Sequence, residues 1–217
     1  RLPTLALVNG YGATETSSAA TLMPVGDGPA HPESIGKPVP LATIRIMDVD
    51  GNEVGQGCSG ELWISGPGVI PGYWNNPEAD ARSFADGAWR SGDIGRMDAN
   101  GYVVLLDRIK DMINRGGYKI YSVEVENALN AHPAVVECAV VPHPDAVLGE
   151  RVHAFVSLRD GPAVDPKDLV DALRAHCAAL LADYKVPDFI TIEAGMLARN
   201  ANGKLQKSVY RDRLGQS

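Results

Sequence analysis

LLDRIKDMINRGGYKI, residues 105–120, marks a change in the character of this chain. Before Asp107 the sequence reads as β-rich; after it, strand and helix patterns alternate. The stretch itself is charged and broken by Gly116 and Gly117. Paired glycines permit a backbone geometry, or a close ligand approach, that a Cβ would block. Taken alone, it reads equally well as a surface β-hairpin.

Working outward toward the N-terminus, LATIRIMD (41–48) alternates and meets the turn DVDG (48–51), a hairpin signal. GELWISG (60–66), WRSGDIGRMD (89–98), the turn DANG (98–101) and YVVLLD (102–107) continue the pattern, and TLALV (4–8) reads as a further strand. NNPEADARSF (75–84) predicts one short helix, with Asn76 as N-cap and Pro77 at its first position. In the other direction, SVEVENALNAHP (122–133) predicts a helix capped by Ser122 and stopped by proline. AVVECAVVP (134–142), RVHAFVSL (151–158) and DFITIE (188–193) read as strands. An amphipathic helix runs from Asp165 and Pro166 to Tyr184, and KSVYRDRL (207–214) is a last short one. The expected class is α+β, a β-rich part joined near residues 107–110 to a small α+β part.

Bulk properties bound the function. The chain has 217 residues, is 45% hydrophobic and 22% charged, and carries a net charge of −7. It reads as a globular protein, not a disordered one. The negative charge argues against a general nucleic-acid or anionic-membrane binder but leaves room for one phosphate pocket, which local charge decides. Cys58, Cys138 and Cys177 lack metal-ligand spacing and fit reduced thiols in a cytoplasmic protein. There is no apolar run of membrane-span length and no signal-peptide plan. The start at Arg1, running into an apolar stretch, suggests that something upstream is missing.

Four short motifs could carry chemistry. NGYGATET (9–16) can bring amides and a hydroxyl to a phosphate, with an acid to hold Mg²⁺; a plain structural loop is the competing reading. WRSGDIG (89–95) puts Asp93 in a glycine-flanked turn, where one carboxylate can accept from both hydroxyls of a ribose. Arg108 offers a planar fork for phosphate or ribose oxygens. NANGKLQK (200–207) mounts Lys204 in a glycine-hinged loop that would otherwise be a solvated turn.

In this order, YGATE, GELWISGPGVIPGYW, WRSGDIG, DRIKDMINRGGYKIYSVEVE, HPDAVLGE and NANGKLQK resemble the adenylate-forming superfamily of acyl-CoA synthetases, luciferases and peptide-synthetase adenylation domains. The resemblance covers nearly the whole chain. It implies that residues 1–107 are the C-terminal part of a large AMP-binding domain and 108–217 a mobile C-terminal lid domain. Such enzymes activate a carboxylic acid with ATP and Mg²⁺, release pyrophosphate, and pass the acyl group from AMP to a thiol. Carried over by motif position, Tyr11 and Gly12 would meet adenine, with Asn9 on its amino group. Thr14 would touch the α-phosphate and Glu15 would hold Mg²⁺. Asp93 would clasp the ribose with Arg108 beside it, and Lys204 would steady charge in the first half-reaction. Lys110 would be the hinge. Gly116, Gly117, Tyr118 and Lys119 would then enter, with Tyr184 and Lys185 near the CoA nucleotide.

DRIKD and RGGYKIYSVEVE look like free-standing acyl- or aryl-CoA synthetases, which implies CoA as acceptor rather than a carrier protein. Ala198 and Lys207 stand where the family often has proline and arginine. No sequence like TSGTTGxPK precedes YGATE, so the partner implied is the missing N-terminal part of the same enzyme. The chain alone is expected to be a poor catalyst with uncovered strand edges. A non-catalytic nucleotide-binding module and a luciferase-like enzyme are the other readings.

Overall fold

The computed structural model describes residues 5–159 and 166–215. It divides into two units, Arg1–Ile109 and Lys110–Ser217. The first holds strands β1 (Gly10–Gly12), β2 (Ala19–Leu22), β3 (Ser34–Pro38), β4 (Thr43–Met47) and β5 (Gly60–Ser65). Helix α1 (Pro77–Ser83), β6 (Phe84–Ala85), β7 (Ala88–Met97) and β8 (Val103–Arg108) complete it. One sheet runs β1-β2-β3-β8-β7-β5-β4, with β6 paired to β7. Its core is Ile35, Ile44, Ile46, Leu62, Ile64, Trp89 and Val103, the inward positions of alternating strands. Asn76 caps α1 as the sequence suggests, its side chain accepting from the Ala79 N–H at 3.1 Å.

The second unit contains β9 (Ile113–Arg115), β10 (Tyr118–Ile120), α2 (Ser122–Asn130), β11 (Val135–Asp145) and β12 (Gly149–Leu158). These are followed by α3 (Pro166–Leu180), β13 (Phe189–Glu193) and α4 (Lys207–Gly215). Its sheet runs β10-β9-β12-β11, and β13 lies parallel to β12. Helices cover both faces. On one, Val140, Val152 and Val156 pack with Leu129 of α2 and Leu173 of α3. On the other, Ala139, Val141 and Phe155 pack with Tyr210 of α4. The two-residue alternation of β11 thus serves two cores. The class is α+β.

Several local expectations are corrected. Residues 5–8 of TLALV form no strand; pairing begins only at Gly10, which meets Leu22 of β2. Leu7 is 89% exposed, and the run has no strand beside it among the described residues. Ser122 is not the N-cap of α2 but its first helical residue. Its buried hydroxyl accepts from Lys207 Nζ at 2.8 Å instead. The helix after Pro166 stops at Leu180, and Asp183–Lys185 forms a separate 3-10 turn. That turn delivers the Tyr184 carbonyl to Arg115 and the Lys185 ammonium to Glu124. The expected cap Asp165 lies outside the described residues. No helix is long and apolar enough to cross a membrane among the described residues.

Candidate active site

Asp93 is not in a turn. It lies inside β7, opposite Arg108 of β8. The glycine before it, Gly92, takes φ +70° within the ladder, a left-handed conformation that a Cβ would strain. Both of its backbone groups are held. Its N–H donates to Glu61 Oε1 at 3.1 Å, and its carbonyl accepts from the Ile109 N–H at 2.9 Å. Glu61 also accepts from Trp63 Nε1 at 2.9 Å and Arg90 Nε at 3.3 Å. Sequence reasoning missed Glu61; the available signal was an acid inside the otherwise apolar strand GELWIS.

This kinked strand presents the Asp93 carboxylate to two partners. The Tyr11 hydroxyl, from β1, donates to Oδ2 at 2.5 Å, and Arg108 Nε donates to Oδ1 at 2.9 Å. Burial, then the hydrogen bond and charge of Asp93, push the Tyr11 hydroxyl well above its ordinary pKa, so it remains a donor at neutral pH. Each carboxylate oxygen keeps a further lone pair for a ligand hydroxyl. Asn9 donates from Nδ2 to the Ser34 carbonyl at 3.0 Å, an arrangement that leaves its oxygen as the free acceptor.

The loop after β1 is a 3-10 turn, Thr14–Thr16. Buried Thr16 braces it, its hydroxyl accepting from the Ala13 N–H at 2.9 Å and lying 2.7 Å from the Ser18 carbonyl. Gly12 has a packing reason: a Cβ there would come within 2.4 Å of the Ser18 carbonyl. Thr14 is exposed, and Glu15 Oε1 accepts from the Tyr73 hydroxyl at 2.8 Å. Burial, then Glu15, raise the pKa of Tyr73, which keeps it a donor too. Tyr73 is in turn fixed by its N–H to Asp80 Oδ1 at 2.7 Å. Neither Tyr73 nor Asp80 was picked out from the sequence. An apolar cavity of about 340 Å³ opens beside Thr16, lined also by Ala20, Val39, Leu41 and Val69; it contains none of the Asp93 cluster. Among the described residues no three His, Cys, Asp or Glu gather to hold a metal ion.

In the second unit, RGGYKI is a tight hairpin. Tyr118 pairs with Arg115, leaving Gly116 and Gly117 as a two-residue loop with φ +57° and +92°. Positive φ at both positions is what a type I′ hairpin turn demands. Tyr118 stacks on Tyr184 with ring centroids 4.8 Å apart. Lys185 pairs with Glu124 at 2.6 Å. Gly116, Gly117, Tyr118, Tyr184 and Lys185 therefore sit together. Tyr184 also packs on the core, and the Lys185 charge already has an anion. Lys119 and Lys110 are exposed. Lys204 is exposed in a turn closed by Asn200: the Asn200 side chain accepts from the Asn202 and Lys204 N–H groups at 3.0 and 2.9 Å, and Gly203 adopts φ +77°. The Lys204 ammonium has no ion pair among the described residues.

Comparison with known proteins bears on both units. Residues 1–74 match the family described as AMP-binding enzyme, and residues 124–204 match the AMP-binding enzyme C-terminal domain. A long-chain-fatty-acid–CoA ligase of Yersinia pestis is 39% identical over 95% of this chain, which spans 35% of that protein. A feruloyl-CoA synthase of an Amycolatopsis species is 38% identical over 97% of this chain, which spans 42% of that protein. The solved o-succinylbenzoate CoA synthetase of Bacillus subtilis, in complex with its acyl-adenylate intermediate, superposes with a TM-score of 0.86 at 33% identity. That match covers 95% of this chain and 41% of the other. With a family match in each unit and relatives along nearly its whole length, this chain belongs to the family of AMP-binding enzymes.

Proposed function

We propose that the chain is the C-terminal portion of an enzyme that activates a carboxylic acid with ATP and passes the acyl group to CoA. The observation that carries this reading is the convergence of Tyr11 and Arg108 on Asp93. It supplies a carboxylate held in place by two donors, with lone pairs left for ribose hydroxyls and an aromatic face beside it. Asn9, its amide nitrogen engaged by Ser34, offers an oxygen to the adenine amino group.

In the first half-reaction a carboxylate oxygen of the acid attacks the α-phosphorus, and the bond to pyrophosphate breaks. Thr14 and Lys204 hold the α-phosphate oxygens as charge shifts onto the leaving group. Lys204 suits this as a compact, rotatable donor. Mg²⁺ would supply charge neutralisation at the phosphates, and Glu15, steadied by Tyr73, is the residue to hold it. A single carboxylate is the usual provision where phosphate oxygens complete the shell. In the second half-reaction the CoA thiol gives up its proton to solvent, the sulfur attacks the acyl carbon, and AMP leaves with the bonding pair. Lys110 is the hinge for the domain movement between the two steps, and the Gly116–Lys119 hairpin, with Tyr184 and Lys185, meets the thiol cofactor.

The remainder of the enzyme would supply the phosphate loop and acid pocket and cover the exposed apolar residues Leu5, Leu7 and Leu22. The free cysteines fit a cytoplasmic setting. The test is pyrophosphate release and CoA-ester formation by the full-length enzyme with a panel of acyl and aryl acids. Lys204→Ala should lower adenylate formation by about a hundredfold or more. Undiminished adenylation in that variant, or adenylation with no CoA ester, refutes the respective step; ester formation only on a carrier protein identifies the other acceptor.

A further inference from the structure

We propose that Arg211 is a positioning residue for the Lys110 pivot, clamping its C-terminal side so that reorientation falls on Ile109 and Lys110 alone. Arg211, on α4, donates from Nη1 to the Lys110 carbonyl at 3.3 Å and pairs with the Asp111 carboxylate through the same nitrogen. Asp111 is only 7% exposed, and the Arg211 side chain 23%. The pair is thus partly desolvated and held more firmly than a surface ion pair. A guanidinium suits this task because a single Nη carries two N–H donors, one for the carbonyl and one for the carboxylate.

The other side of the pivot is held within the first unit, where the Ile109 N–H donates to the Gly92 carbonyl at 2.9 Å. Residues 109–111 form a turn in which, among the described residues, no short backbone hydrogen bond engages the Ile109 carbonyl or the Lys110 N–H. Between the Ile109 nitrogen and the Lys110 carbonyl lie only the φ and ψ bonds of these two residues, since the peptide link itself is rigid. The clamp also ties the pivot to the loop that bears Lys204. Helix α4 begins at Lys207, whose ammonium meets Ser122 Oγ at 2.8 Å and Glu126 Oε1 at 2.7 Å. Torsion at the pivot is thereby passed to the Lys204 loop through one anchored helix. Without Arg211 the bonds after Lys110 join the pivot and the movement loses definition.

The experiment compares Arg211→Gln and the charge-keeping Arg211→Lys in the full-length enzyme. A lysine-specific protease cuts the Lys110–Asp111 bond, whose carbonyl is the one Arg211 holds. In Arg211→Gln that cut should quicken about tenfold, the worth of one charge-assisted hydrogen bond, while the cut after exposed Lys204 keeps its rate. The second readout rests on the acyl-adenylate chemistry proposed above. The single-turnover ratio of thioester formation to adenylate formation should fall about tenfold in Arg211→Gln and recover in part in Arg211→Lys. Equal quickening of both cuts means that α4 merely loosens; an unchanged Lys110 cut means that the carbonyl is not held; an unchanged ratio means that Arg211 is a structural anchor only. Each result overturns the clamp. Absence of adenylate in the unsubstituted enzyme defeats the proposed chemistry instead, and the two cleavage rates still decide the clamp.

Discussion

Replacing Lys207 with methionine removes the ion pair to Glu126, and with it the hydrogen bond to Ser122, that anchor the start of α4. Lys207 and Glu126 face each other at 2.7 Å, each side chain only 14% exposed. Glu126 also accepts from the Val140 N–H at 2.8 Å. Methionine keeps most of the apolar stem and removes the ammonium. A buried carboxylate then faces a thioether, and the cost of breaking such a pair is about 3 kcal/mol. Against a typical domain stability of roughly 5–15 kcal/mol this is a large loss. Adding Glu126→Gln removes the buried charge while the amide oxygen still accepts from Val140, so the double variant should regain about 1–2 kcal/mol. Urea unfolding with two probes reads this out. Trp63, Trp74 and Trp89 all lie in the first unit, whereas α2, α3 and α4 lie in the second. The far-UV helical signal should therefore lose stability in Lys207→Met while the tryptophan transition stays in place. A loss under about 1 kcal/mol, or equal shifts in both probes, refutes the assignment of a buried, unit-specific pair.

Three other outcomes follow from the geometry. Tyr11→Phe removes a donor to a carboxylate and should lower kcat/KM for ATP in pyrophosphate exchange about tenfold, with little change in Tm; no change would deny Tyr11 a part in holding Asp93. Gly92→Ala meets no atom within 4 Å yet must adopt φ +70°, so it should cost about 1–2 kcal/mol by conformation alone, with Gly92→Asn milder in thermal unfolding. His153, pushed down to about 4 by burial and then by the charges of His143 and Arg213, binds fewer protons folded than unfolded. Its contribution is present above the unfolded value near 6.5 and is lost as pH falls toward 4. After allowance for solvent screening that loss is about 2 kcal/mol, and His153→Gln should flatten the stability profile across the window.

What was legible in the sequence was mainly what is local. Asn76-Pro77 fixes the start of α1 through its own backbone, and strands such as LATIRIMD show their alternation directly. The failures trace to distant partners. Gly92 reads as a turn residue because its φ is indeed left-handed, but Glu61 and Ile109 hold it inside a ladder. Ser122 looks like a cap, yet a lysine 85 residues away claims its hydroxyl. The helical pattern through Tyr184 is cut short because Arg115 and Glu124 draw residues 184 and 185 out of it. The proposed site residues were read from motif order, whereas the contacts that Glu61, Tyr73 and Asp80 make with Gly92, Glu15 and the Tyr73 N–H emerge only in three dimensions.

The mirror-image turn at Gly116-Gly117 has a consequence for how this hairpin could meet a ligand. Its amides are already engaged: Gly116 donates to the Leu148 carbonyl at 2.8 Å and Gly117 to Asn114 Oδ1 at 3.1 Å. Much of the entropy of ordering the backbone of the tip is therefore lost once, during folding, and less remains to be lost when a guest arrives. Such a tip behaves as a preshaped gauge and not as a flap that moulds itself to its guest. Because no Cβ projects from either glycine, a slender chain can pass close to the backbone where any side chain would narrow the way.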